Sequence, residues 1–194
     1  MKLQDSLEKQ GEFLFRNRGF IPILFILFSI PVSYFNSFEC LIEHKGVEYA
    51  VLFSAIGFIA LGHLIRAQVI LARQDATSGR NRNEQVADSL NTKGWYSIVR
   101  NPLYVANFLI WFGLSIYLFS FWLSVLLILL FWMYYERIVF AEEAFLSNKF
   151  GAAYTNWCNV TPVFIPKLTG FIPIKYKFTL IKVFFNEYSS MLST

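Results

Sequence analysis

Long apolar runs alternate along the chain with short charged ones. Four apolar runs stand out: Phe20 to Phe35, interrupted by Pro22 and Pro31; Tyr49 to Ala72; Tyr104 to Phe119; and Phe121 to Tyr135. Crossing the hydrocarbon core of a bilayer takes about 20 helical residues, with a range of roughly 17 to 25. The last two runs are short for that, so they either borrow flanking residues or form a hairpin that turns back before crossing. Only Ser120 separates them, which predicts a tight helical hairpin. The expected fold is an all-α integral membrane protein of about four transmembrane helices, forming one domain over residues 1–194. Within it, 20–89 holds the N-terminal helices and a loop, 90–166 a core with polar motifs, and 167–194 a basic tail. That tail, beginning FIPIKYKFTLIKVFF, alternates apolar residues with Lys175, Lys177 and Lys182. It is too basic to span and is expected to lie along the interface.

Charge placement orients the spans. Lys2, Lys9, Arg16 and Arg18 precede the first run, and Glu39, Glu43 and Glu48 outnumber Lys45 after it. Arg73, Arg80, Arg82, Lys93 and Arg100 follow the second run, and Lys149, Lys167 and the tail lysines follow the fourth. If all four runs cross, every basic-rich part falls on one side, and the positive-inside rule makes both termini cytoplasmic. The first run could pass for a signal peptide. Asp5, Glu8 and Glu12 mix with the basic residues before it, however, and no small-residue cleavage site follows, so a retained anchor is expected.

Composition narrows the class. At 56% hydrophobic and 15% charged residues, the chain is not an ordinary soluble domain. Its 22 Phe suit lipid-facing surfaces and interfacial belts. A net charge of +4, scattered along the chain, points to anionic headgroups and not to nucleic acid. Cys40 and Cys158 fall on opposite faces of the expected topology, so no disulfide is anticipated. With His44 and His63 as the two histidines and no ligand spacing, no metal is expected either.

Two polar blocks carry the candidate chemistry. The first is LNTKGWYSIVRNPLY, Leu90 to Tyr104. Asn101-Pro102 breaks the chain and lets a helix begin at the proline. The free N–H groups of that helix end welcome an anion, and Arg100 sits just before it. Alone, this block reads first as a loop-to-helix junction with an arginine reaching the headgroups. The second block is Glu136, Arg137, Glu142 and Glu143, leading to Phe150, Gly151 and Tyr154. Glu136 and Glu143 share a helix face, with Glu142 about 100° away. Adjacent acids are disfavoured by the membrane surface potential unless a ligand with amine, hydroxyl or sulfonium groups answers them; the alternative is a solvated helix end. Arg66, inside the second run, is either functional or snorkels to the interface. Arg80 and Arg82, in the run Thr77 to Asn83, suit a phosphate or belong to a plain solvated loop.

The two blocks and their spacing resemble the isoprenylcysteine carboxyl methyltransferase and phospholipid methyltransferase superfamily of integral membrane enzymes. Its pattern is Gly-x-Tyr-x-x-x-Arg-His-Pro-x-Tyr, a hairpin, then Glu-Glu leading to Phe-Gly-x-x-Tyr. Here the first part is Gly94, Tyr96, Arg100, Asn101, Pro102 and Tyr104, and the second Glu142, Glu143, Phe150, Gly151 and Tyr154. The resemblance covers Asn91 to Pro166, and the Asn-Pro variant with the 77–83 run resembles bacterial members, which implies a bacterial inner (cytoplasmic) membrane as the location. It implies an S-adenosylmethionine pocket on the cytoplasmic face, held by Gly94, Tyr96, Asn101, Pro102, Tyr104, Glu142 and Glu143. It also implies methyl transfer to a lipid within the bilayer. Arg100 is then the first candidate to hold an anionic acceptor and Arg137 the second, with Arg66, Arg80 and Arg82 as substrate-binding candidates. A phosphate-bearing lipid ranks first as acceptor, phosphatidylethanolamine second and a prenyl-cysteine carboxylate third. One departure matters: Asn101 stands where the family has histidine, and an amide cannot act as a base near neutral pH. Two rivals stand beside this reading. One is a nicotinamide-dependent reductase resembling sterol reductases; the other is a non-enzymatic scaffold packed through small residues such as Ala50 and Ser54.

Overall fold

The computed structural model describes residues 3–19, 23, 27, 31, 45–72 and 87–174. The first apolar run, the Thr77 to Asn83 run with Arg80 and Arg82, and the tail from Lys175 therefore lie mostly or wholly outside the described residues. Those residues contain helices and no named strand: α1 (Leu3–Arg16), α2 (Lys45–Ala72), α3 (Pro102–Tyr117), α4 (Phe121–Phe150) and α5 (Ala152–Val160). A single 3-10 turn, Trp95–Ser97, precedes α3.

Two helices, α2 with 28 residues and α4 with 30, are long and apolar enough to cross a membrane; α3 is a shorter apolar helix. Large side chains on their outer faces are open to the surroundings, among them Phe53 (68% exposed), Leu64 (60%) and Trp122 (73%). Buried core helices of a soluble domain do not leave such faces uncovered. The hairpin between α3 and α4 forms as its spacing predicts, with a slightly longer turn. Helix α3 stops at Tyr117, Phe119 takes a positive φ of 52°, and Ser120 caps α4 by accepting the Leu123 amide at 3.4 Å. Helix α4 then continues past its apolar run, carrying Glu142 and Glu143 before it ends at Phe150.

Helices α2 and α3 run antiparallel along a seam of small residues. Ala55, Gly62 and Val69, spaced by seven, put one face of α2 against α3. A Cβ at Gly62 would stand 2.7 Å from the Ala106 carbonyl, and one at Gly113 would stand 2.8 Å from that of Ala55. Close backbone approach through small residues is how apolar helices associate where no hydrophobic force drives them together. Ala50 and Ser54, the small pair suggested by sequence, lie on the exposed side instead. Gly62→Leu is expected to push the helices apart at a cost of about 1–3 kcal/mol, read as a lower melting temperature in detergent. Gly57→Leu, with nothing within 4 Å of its Cβ, is the control. Equal melting of the two variants would contradict the seam.

Aromatic rings join α3 to α4. Tyr104 and Tyr135 lie 4.5 Å apart, and Phe108 and Phe131 5.1 Å, between ring centroids. Helix α1, which the charged N-terminus concealed, runs antiparallel along the far half of α4. Phe15 packs into a buried cluster with Tyr135 and Ile138, and Gly11 sits directly on the Arg137 carbonyl and Ala141.

Candidate active site

The loop before α3 is held from three sides. Gly94 N–H donates to the Ile172 carbonyl at 2.8 Å, and the Ile172 amide donates to Ser97 Oγ at 2.9 Å. The Trp157 indole donates to the Tyr96 carbonyl (3.1 Å), and the Trp95 indole to Gln68 Oε1 of α2 (2.7 Å). The segment after α5 runs back over the same loop. It accepts the Arg100 amide at Pro162 (2.8 Å) and the Asn101 side-chain amide at Val163 (3.2 Å), while the Lys167 amide donates to Ile98 (3.1 Å). Lys167 and Ile172 therefore tie the segment after α5 to this loop.

At the start of α3, the amides of Tyr104 and Val105 both donate to the Asn101 carbonyl at 3.1 Å. Those two N–H groups are used within the helix. Pro102 is fully buried, and Gly94 is also buried, so these two shape the wall by backbone and ring alone.

The loop delivers Arg100 to the extension of α4 and to α5. Its Nη1 lies 2.8 Å from Glu143 Oε1 and 3.1 Å from Cys158 Sγ. Tyr154, one turn before Cys158 on α5, hydrogen-bonds to that thiol. The Arg100 side chain is 15% exposed and that of Glu143 32%. Burial alone would lower the Arg100 pKa, but Glu143, and then Cys158 and Tyr154, outweigh it and raise the pKa above its usual value. The guanidinium is a fixed cation. Burial, the Cys158 hydrogen bond and Glu143 push the Tyr154 phenol well above its ordinary range, so it stays neutral. The Arg100–Glu143 contact is ionic without being a hydrogen bond by angle: Arg100 Nε and Glu143 Oε1 are both buried and lack one among the described residues. Buried polar groups are rarely left so. A donor with no acceptor beside a carboxylate is chemistry suited to a bound ligand.

A second polar set adjoins the first. The Tyr104 hydroxyl hydrogen-bonds to Glu142, and its ring lies against Tyr135. Tyr135 OH accepts from Asn107 Nδ2 at 3.2 Å, and Asn107 Oδ1 accepts from Arg66 Nη1 at 2.9 Å. Arg137 is placed elsewhere. Its Nε donates to Gln10 of α1 at 3.0 Å and its Nη1 to the Met133 carbonyl at 2.7 Å, while Glu136 is exposed. The structure thus unites Arg100 with Glu143, and Tyr104 with Glu142, and turns Arg137 to α1. Sequence reasoning missed Cys158, Asn107 and Tyr135. The i, i+4 spacing of Tyr154 and Cys158 signals the first, and polar side chains inside apolar runs signal the other two.

Residues 51–153, more than half of the chain, match the profile of the phospholipid methyltransferase family. The match begins inside α2, well before Asn91, so that helix shares the likeness. A protein-S-isoprenylcysteine O-methyltransferase of Schizosaccharomyces pombe is 31% identical over 114 residues, 58% of this chain and 48% of that protein. The nickel-cobalt-cadmium resistance protein NccN of Alcaligenes xylosoxydans xylosoxydans is 36% identical over 94 residues, 48% of this chain and 41% of that one. The cobalt-zinc-cadmium resistance protein CzcN of Cupriavidus metallidurans is 35% identical over 92 residues, 47% and 40%. The matches span about half the length of these curated relatives, or somewhat less. No solved structure matches.

Proposed function

Because this chain belongs to the phospholipid methyltransferase family, we propose that it transfers a methyl group from S-adenosylmethionine to a lipid acceptor in the membrane. The observation that carries this reading is Arg100, an ion-paired and mostly buried guanidinium whose Nε has no acceptor among the described residues, set beside the Glu142–Glu143 pair. The donor set suits the cofactor. Glu142 and Glu143 suit its amine, ribose hydroxyls and positive sulfonium, and the unmatched donor of Arg100 suits a carboxylate or the anionic acceptor. Tyr96, Asn101 and Tyr104, backed by Gly94 and Pro102, form the adjoining wall.

The cofactor, when bound, supplies an electrophilic methyl on sulfur, and the protein's part is alignment and exclusion of water. Arg100 holds an acceptor that is already an anion, so no general base is required. Asn101, tied to the Val163 carbonyl, positions the loop and takes no proton. Arg137, engaged with Gln10 and Met133, stands second to Arg100 for the acceptor. In this reading the site opens to the cytosol for the cofactor and to the bilayer for the lipid. Both termini are cytoplasmic, in a bacterial inner membrane. A phosphate-bearing lipid remains the first acceptor, ahead of phosphatidylethanolamine and a prenyl-cysteine carboxylate. A nicotinamide cofactor is the poorer fit, since Glu142 and Glu143 would repel its pyrophosphate.

The test is transfer of tritiated methyl from S-adenosylmethionine into chloroform-extractable material, using purified protein in vesicles of bacterial lipid. Time-dependent label in the lipid phase, lost with Arg100→Ala, is expected. Label that never exceeds a protein-free control would reject the reading.

A further inference from the structure

The segment after α5 carries the two most exposed large apolar side chains among the described residues, Leu168 at 101% and Ile165 at 81%. Val160, Phe171 and Ile172 nearby are exposed as well. Apolar side chains left open together mark a surface that meets something apolar. This is not a slack stretch of chain. Its Pro162, Val163, Lys167 and Ile172 are hydrogen-bonded to Arg100, Asn101, Ile98 and Gly94 of the site loop. Phe164 packs on Trp132 with ring centroids 5.4 Å apart, and Phe171 on Trp95 at 6.5 Å. Gly170, at φ 80°, turns the segment after Leu168. One set of groups therefore fastens this strap inward, while Ile165 and Leu168 face out.

Trp132 sets the level of the strap against the bilayer. It is exposed on the outer part of α4 with Ile128, Leu129 and Met133. Glu136, the first charge after that apolar run, is exposed one turn later. The hydrocarbon ends between them, at the boundary that tryptophan favours. Phe164 against Trp132 brings the strap to the same level, continuous with the lipid-facing surface of α4. The strap forms no helix, and Pro162, Pro166 and Pro173 bar one. Irregular backbone does not face lipid within the hydrocarbon, so the strap runs along the boundary and only its side chains enter. Charge agrees with this placement. Lys167 lies between Ile165 and Leu168, Lys175 and Lys177 follow, and no acidic residue occurs from Thr161 to Lys177. Apolar side chains interleaved with lysine suit an anionic lipid surface. A second copy seated on this patch would bring like cations together.

We infer that residues 161–172 form a membrane-docked strap, with Ile165 and Leu168 inserted among the headgroups of an anionic bilayer, and that this docking seats Arg100 at the level of the acceptor lipid. This rests on the membrane and lipid-acceptor reading above. Pro162 and Val163 accept from Arg100 and Asn101, so a strap fixed on the lipid surface fixes the loop there too.

Photocrosslinking of the full chain, reconstituted in vesicles of phosphatidylglycerol and phosphatidylethanolamine, tests the docking. Leu168→p-benzoylphenylalanine gives a lipid adduct by mass spectrometry, and so does the same replacement of Trp122 on the outer face of α4. At exposed Ala152, beyond the charged extension of α4, it gives none. A crosslink from position 168 to a second copy, to residues 175–194 of the same chain, or to nothing overturns the docked strap. Equal lipid labelling from position 152 does so too. A lipid adduct at Trp122 without one at Leu168 overturns the strap and leaves the membrane setting intact. Activity reads the seating of Arg100. Ile165→Glu/Leu168→Glu lowers methyl transfer into vesicle lipid about tenfold, since each carboxylate is repelled by the surface that attracts lysine. S-adenosylhomocysteine binding and the melting temperature in detergent stay unchanged, because both side chains face away from the fold. Undiminished transfer in this variant overturns the seating of Arg100. A lipid adduct at Leu168 in a chain that transfers no methyl group supports the docked strap and removes the methyltransferase reading.

Discussion

Replacing Arg100 by alanine will lower kcat/KM for methyl transfer by about a hundredfold, the size expected when a charge-assisted contact to the reacting acceptor is lost. Removing one member of a buried ion pair costs about 3–5 kcal/mol. Glu143 is 32% exposed, so water recovers part of that, and about 3 kcal/mol of fold stability is at stake. Two effects combine in this variant. The acceptor loses its cation, and Glu143 is left as an unanswered charge that also weakens the fold. The double variant Arg100→Ala/Glu143→Gln separates them: it regains the lost melting temperature and does not regain activity. Arg100→Lys restores only part, because an ammonium keeps the charge but loses the Nε donor. If Arg100→Ala kept activity within about threefold, Arg100 would not be at the reacting end.

Glu142→Gln strikes the cofactor instead. The carboxylate accepts the Tyr104 hydroxyl and, in the proposed reading, meets the positive groups of the cofactor. A hydrogen bond to a charged group contributes about 1.5–3 kcal/mol, and the glutamine also removes attraction to a sulfonium. The expected result is a rise of at least about tenfold in the dissociation constant for S-adenosylhomocysteine, with little change in melting temperature. Because Glu142 and Arg100 belong to adjacent but distinct polar sets, the effect on acceptor affinity should be small. Unaltered cofactor affinity in this variant would remove Glu142 from the site.

Much of this arrangement is legible in the sequence. The hairpin follows from two apolar runs meeting at Ser120, and the extension of α4 from an acidic block that keeps helical spacing. The Gly94 to Tyr104 motif fixes which loop meets that extension. What the sequence concealed has physical causes. Helix α1 buries Gly11 and Phe15 on a narrow stripe, and its Asp5, Glu8, Glu12 and Arg16 make it look like a charged leader. The α2–α3 seam uses Ala55, Gly62 and Gly113, whereas composition alone cannot tell that face from the one carrying Ala50 and Ser54. The role of Cys158 depends on a turn at Gly151 that swings α5 back to Arg100, which no local pattern announces. Asn107 and Tyr135 read as isolated polar residues until three helices bring them to Arg66.

The measurement that tests the central claim most directly is calorimetric titration of the purified protein in detergent with S-adenosylmethionine, S-adenosylhomocysteine and NADPH in parallel. Saturable binding of the first two, weakened by Glu142→Gln and absent for NADPH, is the predicted result. Binding of NADPH alone, or of none of the three to folded protein, would contradict it.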